Sequence, residues 1–160
     1  MVGGFCGKSK DYKANDNYYT PQKEWAAVAP YLPKDKLIWE AFYGDGKSGN
    51  YLKELGFNII HEQEDFFATN KGDIVVSNPP YSCKKEVLQR LYSLQKPFVL
   101  LMPYEVLFYK YFEPFRNECS LLIPSKRVNF LKDGKEVKFN YQTVWFCWKM
   151  DLPKLVFLNN

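Results

Sequence analysis

Short apolar runs alternate with amphipathic segments along most of this chain. Each run has the length of a strand buried on both faces, and the segments between the runs place apolar residues at helical spacing. The pattern predicts helices over residues 21–29, 47–55, 84–94 and 104–115, the last broken near Pro114. It predicts strands over residues 37–42, 57–61, 73–77, 97–102, 121–123 and 143–149, with a hairpin-like turn over residues 132–135.

This alternation favours a doubly wound α/β fold with a mostly parallel sheet. Residues 18–160 are expected to form a single domain, because they show no internal repeat and no linker. Residues 1–17 are polar and rich in Gly, Lys, Asn and Asp, which predicts a flexible basic arm. In a doubly wound sheet, ligands bind beyond the carboxyl ends of the strands.

Charge and cysteine content narrow the class of partner and compartment. The net charge of +4 at pH 7 is a mild excess that favours an anionic partner such as nucleic acid. The four cysteines lie far apart and the chain has one histidine, so no zinc-site spacing is present. Reduced thiols in the cytoplasm or nucleus are therefore expected. No apolar run has the character of a signal peptide or a membrane span.

Residues 78–81, Asn78-Pro79-Pro80-Tyr81, follow the predicted strand that ends at Ser77. We call them the Asn-Pro-Pro-Tyr segment. The two prolines fix the backbone and remove two N–H donors, which leaves rigid carbonyl acceptors beside an Asn amide and a Tyr ring. Such a group suits a planar amine or amide, whose N–H groups would meet acceptors while its face meets a ring.

Residues 43–49, Tyr43-Gly44-Asp45-Gly46-Lys47-Ser48-Gly49, follow the first predicted strand and form what we call the glycine loop. Because both loops follow strands, they are expected to meet at the same edge of the sheet. The glycines match G-x-G-x-x-G, with Glu62 lying 18 residues beyond Gly44. The loop is also one substitution away from a phosphate-binding P-loop, because Ala41 replaces the first glycine.

The rest of the chain weighs against a P-loop enzyme and against a nicotinamide enzyme. A P-loop enzyme needs a later strand that ends in Asp, and the strand available here ends in Ser77-Asn78. A nicotinamide enzyme needs a substrate domain, for which a chain of 160 residues has little room.

The two loops together resemble the S-adenosylmethionine-dependent methyltransferases that modify an amino nitrogen. The hallmark of that family is (Asn/Asp/Ser)-Pro-Pro-(Tyr/Phe), preceded by an acidic-aromatic-Gly-x-Gly loop, here Glu40 to Gly46. The resemblance runs from Tyr18 to about Lys149 and implies a Rossmann-like class I methyltransferase sheet with an antiparallel late strand.

The resemblance also implies a cofactor site. Glu40 would attract the ammonium or sulfonium group of S-adenosylmethionine, Glu62 would accept its ribose hydroxyls, and Asp65 would accept from the adenine. The residues implied in cofactor binding are Tyr19, Thr20, Pro21, Glu40, Phe42, Gly44, Gly46, Glu62, Asp65 and Phe66.

The implied catalytic residues are those of the Asn-Pro-Pro-Tyr segment, Asn78, Pro79, Pro80 and Tyr81. The Asn78 oxygen and the Pro79 carbonyl would accept both amino hydrogens and turn the nitrogen lone pair toward the methyl group for in-line displacement. Tyr81 would stack on the substrate base. Lys126 and Arg127 would contact phosphates, and Phe130 would be a second aromatic contact to the base. No metal is implied.

The order of motifs resembles the small adenine-N6 DNA methyltransferases of phages, viruses and mobile elements. The chain has no room for a separate target-recognition domain, so sequence specificity would be low or would come from a second subunit; a homodimer is also open. The motif is shared with enzymes that methylate adenine in RNA or glutamine in release factors. An inactive scaffold that pairs with an active homologue is a further alternative.

Overall fold

The computed structural model describes residues 17–159. Of the predicted arm, residues 1–17, all but Asn17 lie outside the described residues. The described helices are α1 (Gln22–Val28), α2 (Lys47–Glu54) and α3 (Lys84–Ser93), with short 3₁₀ helices at Ala29–Tyr31, Tyr81–Cys83, Tyr104–Phe108 and Lys110–Phe115. The described strands are β1 (Leu37–Trp39), β2 (Asn58–Ile60), β3 (Ile74–Ser77), β4 (Phe98–Pro103), β5 (Cys119–Ile123), β6 (Phe130–Lys132), β7 (Lys135–Val137), β8 (Thr143–Trp148) and β9 (Leu155–Phe157).

Seven of these strands form one sheet in the order β2-β1-β3-β4-β8-β5-β9. Strands β2, β1, β3 and β4 pair in parallel, and β9 pairs in parallel with β5. Strand β8 runs antiparallel between β4 and β5. The prediction of an α/β fold with a mostly parallel sheet is therefore confirmed, and the sheet has an antiparallel late strand.

Apolar residues cover both faces of this sheet, as the period of two along a strand requires. Alternate residues of β4 separate cleanly: Leu100 and Met102 face the cluster built on α3 and the later 3₁₀ helices, whereas Val99 and Leu101 face the cluster built on α1 and α2. The sheet is thus the middle of three layers, and the apolar clusters cover its two faces but not the ends of its strands.

Several predicted boundaries differ from the structure. Strand β1 ends at Trp39 rather than at residue 42: the Glu40 N–H makes a last bond to the Ile60 carbonyl of β2, and the chain then turns into the glycine loop. The predicted helix over residues 104–115 consists of two 3₁₀ helices that meet at Tyr109, with Pro114 inside the second. Strand β9 was not predicted. The hairpin turn is confirmed: Asp133 (φ 51°) and Gly134 (φ 75°) link β6 to β7.

The start of α1 differs by one residue from the prediction. Pro21 occupies the N-cap with an extended backbone (φ −61°, ψ 150°), and no side chain caps the helix. Thr20, predicted to be the N-cap, therefore lies one residue too early to bond to the first turn. Its hydroxyl is left for other contacts.

The prediction of reduced thiols holds for only some of the cysteines. Cys119 and Cys147 are free and buried, and burial raises the pKa of the Cys119 thiol to about 12. Cys83 is disulfide-bonded, so the prediction is wrong for that residue. Cys6 lies outside the described residues. Among residues 17–159, no helix has both the length and the apolar character that crossing a membrane requires.

Candidate functional site

A cavity opens at the edge of the sheet where β1 and β3 end, and we call it the edge cavity. Its walls come from the glycine loop, the Asn-Pro-Pro-Tyr segment, the residues before α1, and the β6–β7 hairpin with the chain that follows it. The two loops therefore meet at one edge, as predicted. The edge cavity is lined by these predicted site residues: Tyr19, Thr20, Glu40, Phe42, Gly44, Asn78, Pro79, Pro80, Tyr81 and Phe130.

The Asn-Pro-Pro-Tyr segment presents an unsatisfied acceptor to the edge cavity. Pro79 is buried and Pro80 is extended (φ −60°, ψ 125°), so the chain leaves β3 as a rigid link before the short 3₁₀ helix that begins at Tyr81. The Asn78 Oδ1 atom is buried and has no hydrogen-bond partner within residues 17–159. An unpaired buried acceptor costs about 1–3 kcal/mol, which a ligand N–H would offset.

Two phenylalanine rings pack against the side chain of Tyr81. The Tyr81 ring meets Phe130 edge-on at 6.3 Å between centroids and Phe139 at 6.5 Å. Phe130 is only 1% exposed and belongs to the core. The role predicted for Phe130, a direct contact to a base, is therefore not supported by its position: its ring packs against Tyr81 and lines the floor of the edge cavity.

The chain before α1 is fixed to the hairpin and supplies two more unpaired groups. Tyr19 and Leu131 exchange backbone hydrogen bonds of 2.9 and 2.8 Å. Next to this bridge, the Thr20 hydroxyl and the Trp25 Nε1–H are buried and lack partners among the described residues. Both are donors, and both residues line the edge cavity. This wall is therefore suited to an acceptor such as a carboxylate.

The Tyr19 hydroxyl is protonated at neutral pH and can also serve as a donor. Burial, followed by the charges of Asp45 and Asp133, raises the pKa of Tyr19 above its ordinary value. Asp45 lies at the mouth of the edge cavity, where its carboxylate is 3.4 Å from the Lys47 ammonium.

A single buried carboxylate ties the ends of three strands to α2. The Glu40 side chain is 2% exposed and accepts hydrogen bonds from the Ser48 and Ser77 hydroxyls and from the Phe42 N–H. Its Oε2 atom also lies 3.3 Å from His61 Nε2. Glu40 lines the edge cavity as predicted, but its oxygens are engaged within the protein. A ligand in the edge cavity would therefore be near the negative charge of Glu40, but it would find no carboxylate oxygen free to accept a hydrogen bond.

His61 is a member of this cluster for which the sequence predicted no role beyond the end of a strand. Its ring stacks on Tyr43 at 4.8 Å, and its Nε2 lies 3.1 Å from the Tyr43 carbonyl. Burial by itself lowers the pKa of His61, but the Glu40 carboxylate and the Tyr43 carbonyl favour the imidazolium strongly enough to raise it overall. The charged form of His61 is therefore stabilised by folding.

This shift predicts a pH-dependent contribution to stability. Because the pKa of His61 is higher in the folded chain than its ordinary value, the stabilisation is complete below the unfolded pKa and is lost as the pH rises through the folded pKa. We expect His61→Gln to lower the free energy of unfolding by about 1.5–3 kcal/mol at pH 5.5, the range of a charged hydrogen bond, and by less at pH 9.

Urea denaturation of both proteins at the two pH values measures this difference. His61 is the only histidine of the chain, so no other imidazole contributes to the comparison. A difference between the two proteins that stays constant or grows toward pH 9 would contradict the assignment of a charged His61–Glu40 pair.

Backbone conformation and nearby tyrosine rings both favour glycine at positions 44 and 46. Gly44 (φ 59°) and Gly46 (φ 81°) both have left-handed backbones. A Cβ on Gly44 would lie 3.2 Å from the Tyr19 ring, and one on Gly46 would lie 3.0 Å from the Tyr43 hydroxyl. Gly44 lines the edge cavity, whereas Gly46 does not.

The remaining residues predicted to bind the cofactor do not line the edge cavity. Glu62 is exposed and pairs with Lys71. The Asp65 carboxylate accepts the Phe67 N–H at 2.9 Å, which closes a local turn. Phe66 is fully buried, with its ring 4.9 Å from that of Phe42, so it is not accessible to a ligand ring as predicted. Phe66 lies in the link between β2 and β3, residues 61–73, which places its ring in the core.

The other predicted contacts do not line the edge cavity. Pro21 is buried behind the wall that Thr20 lines. Lys126 and Arg127 are exposed, and Arg127 lines a neighbouring cleft, with its Nη1 3.4 Å from the Phe139 carbonyl.

Sequence reasoning missed several residues of the edge cavity. Tyr18, Trp25, Tyr43, Tyr51 and Phe139 add aromatic wall area. Residue type alone does not indicate this position, because an aromatic residue is equally compatible with the hydrophobic core. Within residues 17–159, no group of three His, Cys, Asp or Glu side chains is placed to hold a metal ion.

The edge cavity thus combines a buried acceptor, two buried donors, an aromatic wall and a rigid floor. No protein-family model matches the chain, and its sequence matches none of the curated proteins.

Proposed function

We propose that this protein transfers a methyl group from S-adenosylmethionine to the exocyclic N6 amino group of adenine in DNA. The observation that carries the proposal is the meeting of the Asn-Pro-Pro-Tyr segment and the glycine loop in one cavity, with Asn78 Oδ1 buried and unpaired inside it. An acceptor in that position is suited to a ligand N–H group, which an amino group supplies.

The sheet supports the proposal at the level of architecture. The edge cavity lies beyond the carboxyl ends of parallel strands, where doubly wound sheets bind ligands. The antiparallel β8 among otherwise parallel strands agrees with the class I methyltransferase sheet that the sequence resemblance implies.

The donors of the edge cavity fit the amino-acid part of S-adenosylmethionine. Thr20 and Trp25 would hold its carboxylate, since both carry a buried donor with no partner among the described residues. Asp45 at the mouth and the buried charge of Glu40 would favour its cationic groups. When bound, S-adenosylmethionine supplies a methyl group activated by the positive charge on sulfur.

The residues of the Asn-Pro-Pro-Tyr segment would position the amine. An exocyclic amine is a poor nucleophile because its lone pair is delocalised into the ring. Asn78 Oδ1 and the Pro79 carbonyl would accept its two hydrogens and localise that lone pair, while the Tyr81 ring stacks on the base. As the N–C bond formed, the bond between the methyl group and sulfur would break, S-adenosylhomocysteine would leave as a neutral thioether, and the surplus proton on nitrogen would pass to water. Positioning and preorganised acceptors, rather than a general base, would supply the rate enhancement.

Methyl transfer from labelled S-adenosylmethionine tests the proposal. The substrates are duplex DNA, single-stranded DNA, structured RNA and a glutamine-containing release-factor peptide, with mass spectrometry to identify the modified nucleoside or residue. We expect N6-methyladenine in DNA. Calorimetric titration with S-adenosylmethionine gives an independent readout of the cofactor.

Each outcome has a distinct meaning. Label on RNA or on the peptide would keep the acceptor geometry and replace the substrate. Cofactor binding without transfer to any substrate would overturn the proposed activity. Neither transfer nor binding would favour a scaffold that pairs with an active homologue.

A further inference from the structure

A second cleft lies beside the edge cavity, where β4 ends and β8 begins. We call it the Tyr104 cleft. It is lined by Tyr104, Glu105, Arg127, Asn140, Tyr141 and Gln142, together with Pro103. The Tyr104 N–H donates to the Gln142 carbonyl at 2.9 Å and so extends the β4–β8 pairing beyond Pro103 and Thr143. Two walls of the cleft are therefore held at a fixed separation.

Exposed aromatic side chains are concentrated around the Tyr104 cleft. Of the eight large apolar or aromatic side chains that are exposed in the described part of the chain, Tyr104, Phe108, Tyr109 and Tyr141 lie in the two segments that border it. Tyr104 and Tyr141 are each 48% exposed although both line the cleft. The apolar faces of such exposed rings remain in contact with water, and a ligand that stacks on them would bury those faces.

A series of aromatic contacts connects the Tyr104 cleft to the edge cavity. The Tyr81 ring contacts Phe139 at 6.5 Å, and Phe139 contacts Tyr141 at 5.2 Å. Arg127 joins the same series, because its guanidinium lies 3.4 Å from the Phe139 carbonyl. A ligand that extends from the edge cavity would therefore meet Tyr141 and Arg127 next.

We propose that the Tyr104 cleft binds the nucleotide next to the target base in an unpaired DNA strand, with Tyr104 and Tyr141 stacking on its base and Arg127 contacting its phosphate. Aromatic rings and a cation along one path are the combination by which proteins hold single strands. Duplex bases are stacked on one another and present no face to these rings. This inference rests on the proposed function and specifies the state of its substrate.

The polar residues of the Tyr104 cleft are consistent with a base in that position. Asn140 and Gln142 carry amides that can pair with a base edge, and Glu105 can accept from an exocyclic amine. Glu105 is the acidic residue of the cleft and repels a phosphate. The phosphate is therefore assigned to the side of Arg127, next to the exposed Lys126.

Fluorescence anisotropy with a labelled single-stranded oligonucleotide, and with its duplex, tests the proposal without cofactor. We expect the double variant Tyr104→Ala/Tyr141→Ala to bind the single strand at least about tenfold more weakly, since one stacked base is worth about 5- to 150-fold in Kd. Tyr104→Phe/Tyr141→Phe keeps the rings and should bind like the wild type. Tyr92→Ala is the matched control: Tyr92 is 44% exposed and lies at the opposite end of β4, against Trp148.

Arg127→Ala gives a second, independent readout. Removing one phosphate contact should lower the slope of log Kd against log salt concentration by about 0.7 for a single strand. Lys36→Ala, at an exposed lysine that precedes β1 at the other edge of the sheet, should leave the slope unchanged.

The proposal is overturned if the double alanine variant binds the single strand as well as the wild type does. Equal losses for duplex and single strand, or no binding of a single strand by the wild type, would also overturn it. Binding is measured without methyl transfer, so the two proposals can fail separately. If the double alanine variant loses single-strand binding and the wild type methylates no substrate, the role of the Tyr104 cleft is supported and the proposed activity is not.

Discussion

Replacing Asn78 with alanine is expected to lower the rate of methyl transfer about 100- to 1000-fold, the usual cost of removing one preorganised polar partner of a reacting group. The variant loses the acceptor that localises the lone pair of the amine. Its fold should be unaffected, because Asn78 Oδ1 has no partner within residues 17–159 and its removal breaks no hydrogen bond there. Single-turnover transfer assays and thermal melting measure the two effects separately.

Two further variants sharpen this test. Asn78→Asp keeps an acceptor oxygen at the same position, so it should retain more activity than Asn78→Ala. Asn117→Ala makes the same truncation at an exposed residue that precedes β5, at the other edge of the sheet, and should leave activity unchanged. Full activity in Asn78→Ala, with methylation still on adenine, would exclude this residue from the reaction.

Gly49→Ala is expected to destabilise the protein by about 1–3 kcal/mol, although alanine is normally about 1 kcal/mol better than glycine inside a helix. A Cβ at Gly49 would lie 2.1 Å from His61 Nδ1 and 2.5 Å from its Cγ. His61 has little freedom to move away, because it stacks on Tyr43 and pairs with Glu40. Urea denaturation measures the loss of stability.

A double-mutant cycle separates this clash from an effect on the helix. In a His61→Gly background the ring and also the His61 Cβ, which would lie 2.6 Å from the new methyl group, are removed, so Gly49→Ala should cost much less there than in the wild type. Asn50→Ala, at an exposed position of the same helix, should change stability little. An equal cost of Gly49→Ala in both backgrounds would show that His61 is not the cause.

The part of the site that follows local rules could be predicted from the sequence. Glu40, Gly44 and Asn78 follow apolar runs that become parallel strands, and parallel strands place their carboxyl ends at one edge. This rule does not depend on which helices or loops pack on the faces of the sheet. It therefore located the two loops correctly even though β1 is shorter than predicted.

The orientation of aromatic side chains could not be predicted in the same way. Phe66 and Phe130 were assigned to ligands, yet both are buried, Phe66 against Trp39 and Phe42 and Phe130 behind Tyr81. Whether a phenylalanine faces a cavity or the core depends on the path of the adjoining loop. Neither loop has the periodicity of a strand or helix that would indicate that path.

Contacts between distant segments were also beyond the reach of the sequence. The bridge between Tyr19 and Leu131 fixes the β6–β7 hairpin over the edge cavity and brings Phe139 to Tyr81. Tyr19 and Leu131 lie in segments more than a hundred residues apart, and no local pattern in either segment identifies the other. The Tyr104 cleft depends on a similar long-range pairing, that of Tyr104 with Gln142.

The position of β8 has a consequence for how the chain is made. This strand follows both β4 and β5 along the chain, yet it lies between them and pairs with both along most of their length. Until it arrives, both neighbours present unpaired edges that can join other chains. Folding of this part of the sheet must therefore wait until residues 143–148 have been synthesised, and nascent chains halted before Thr143 would be prone to aggregate.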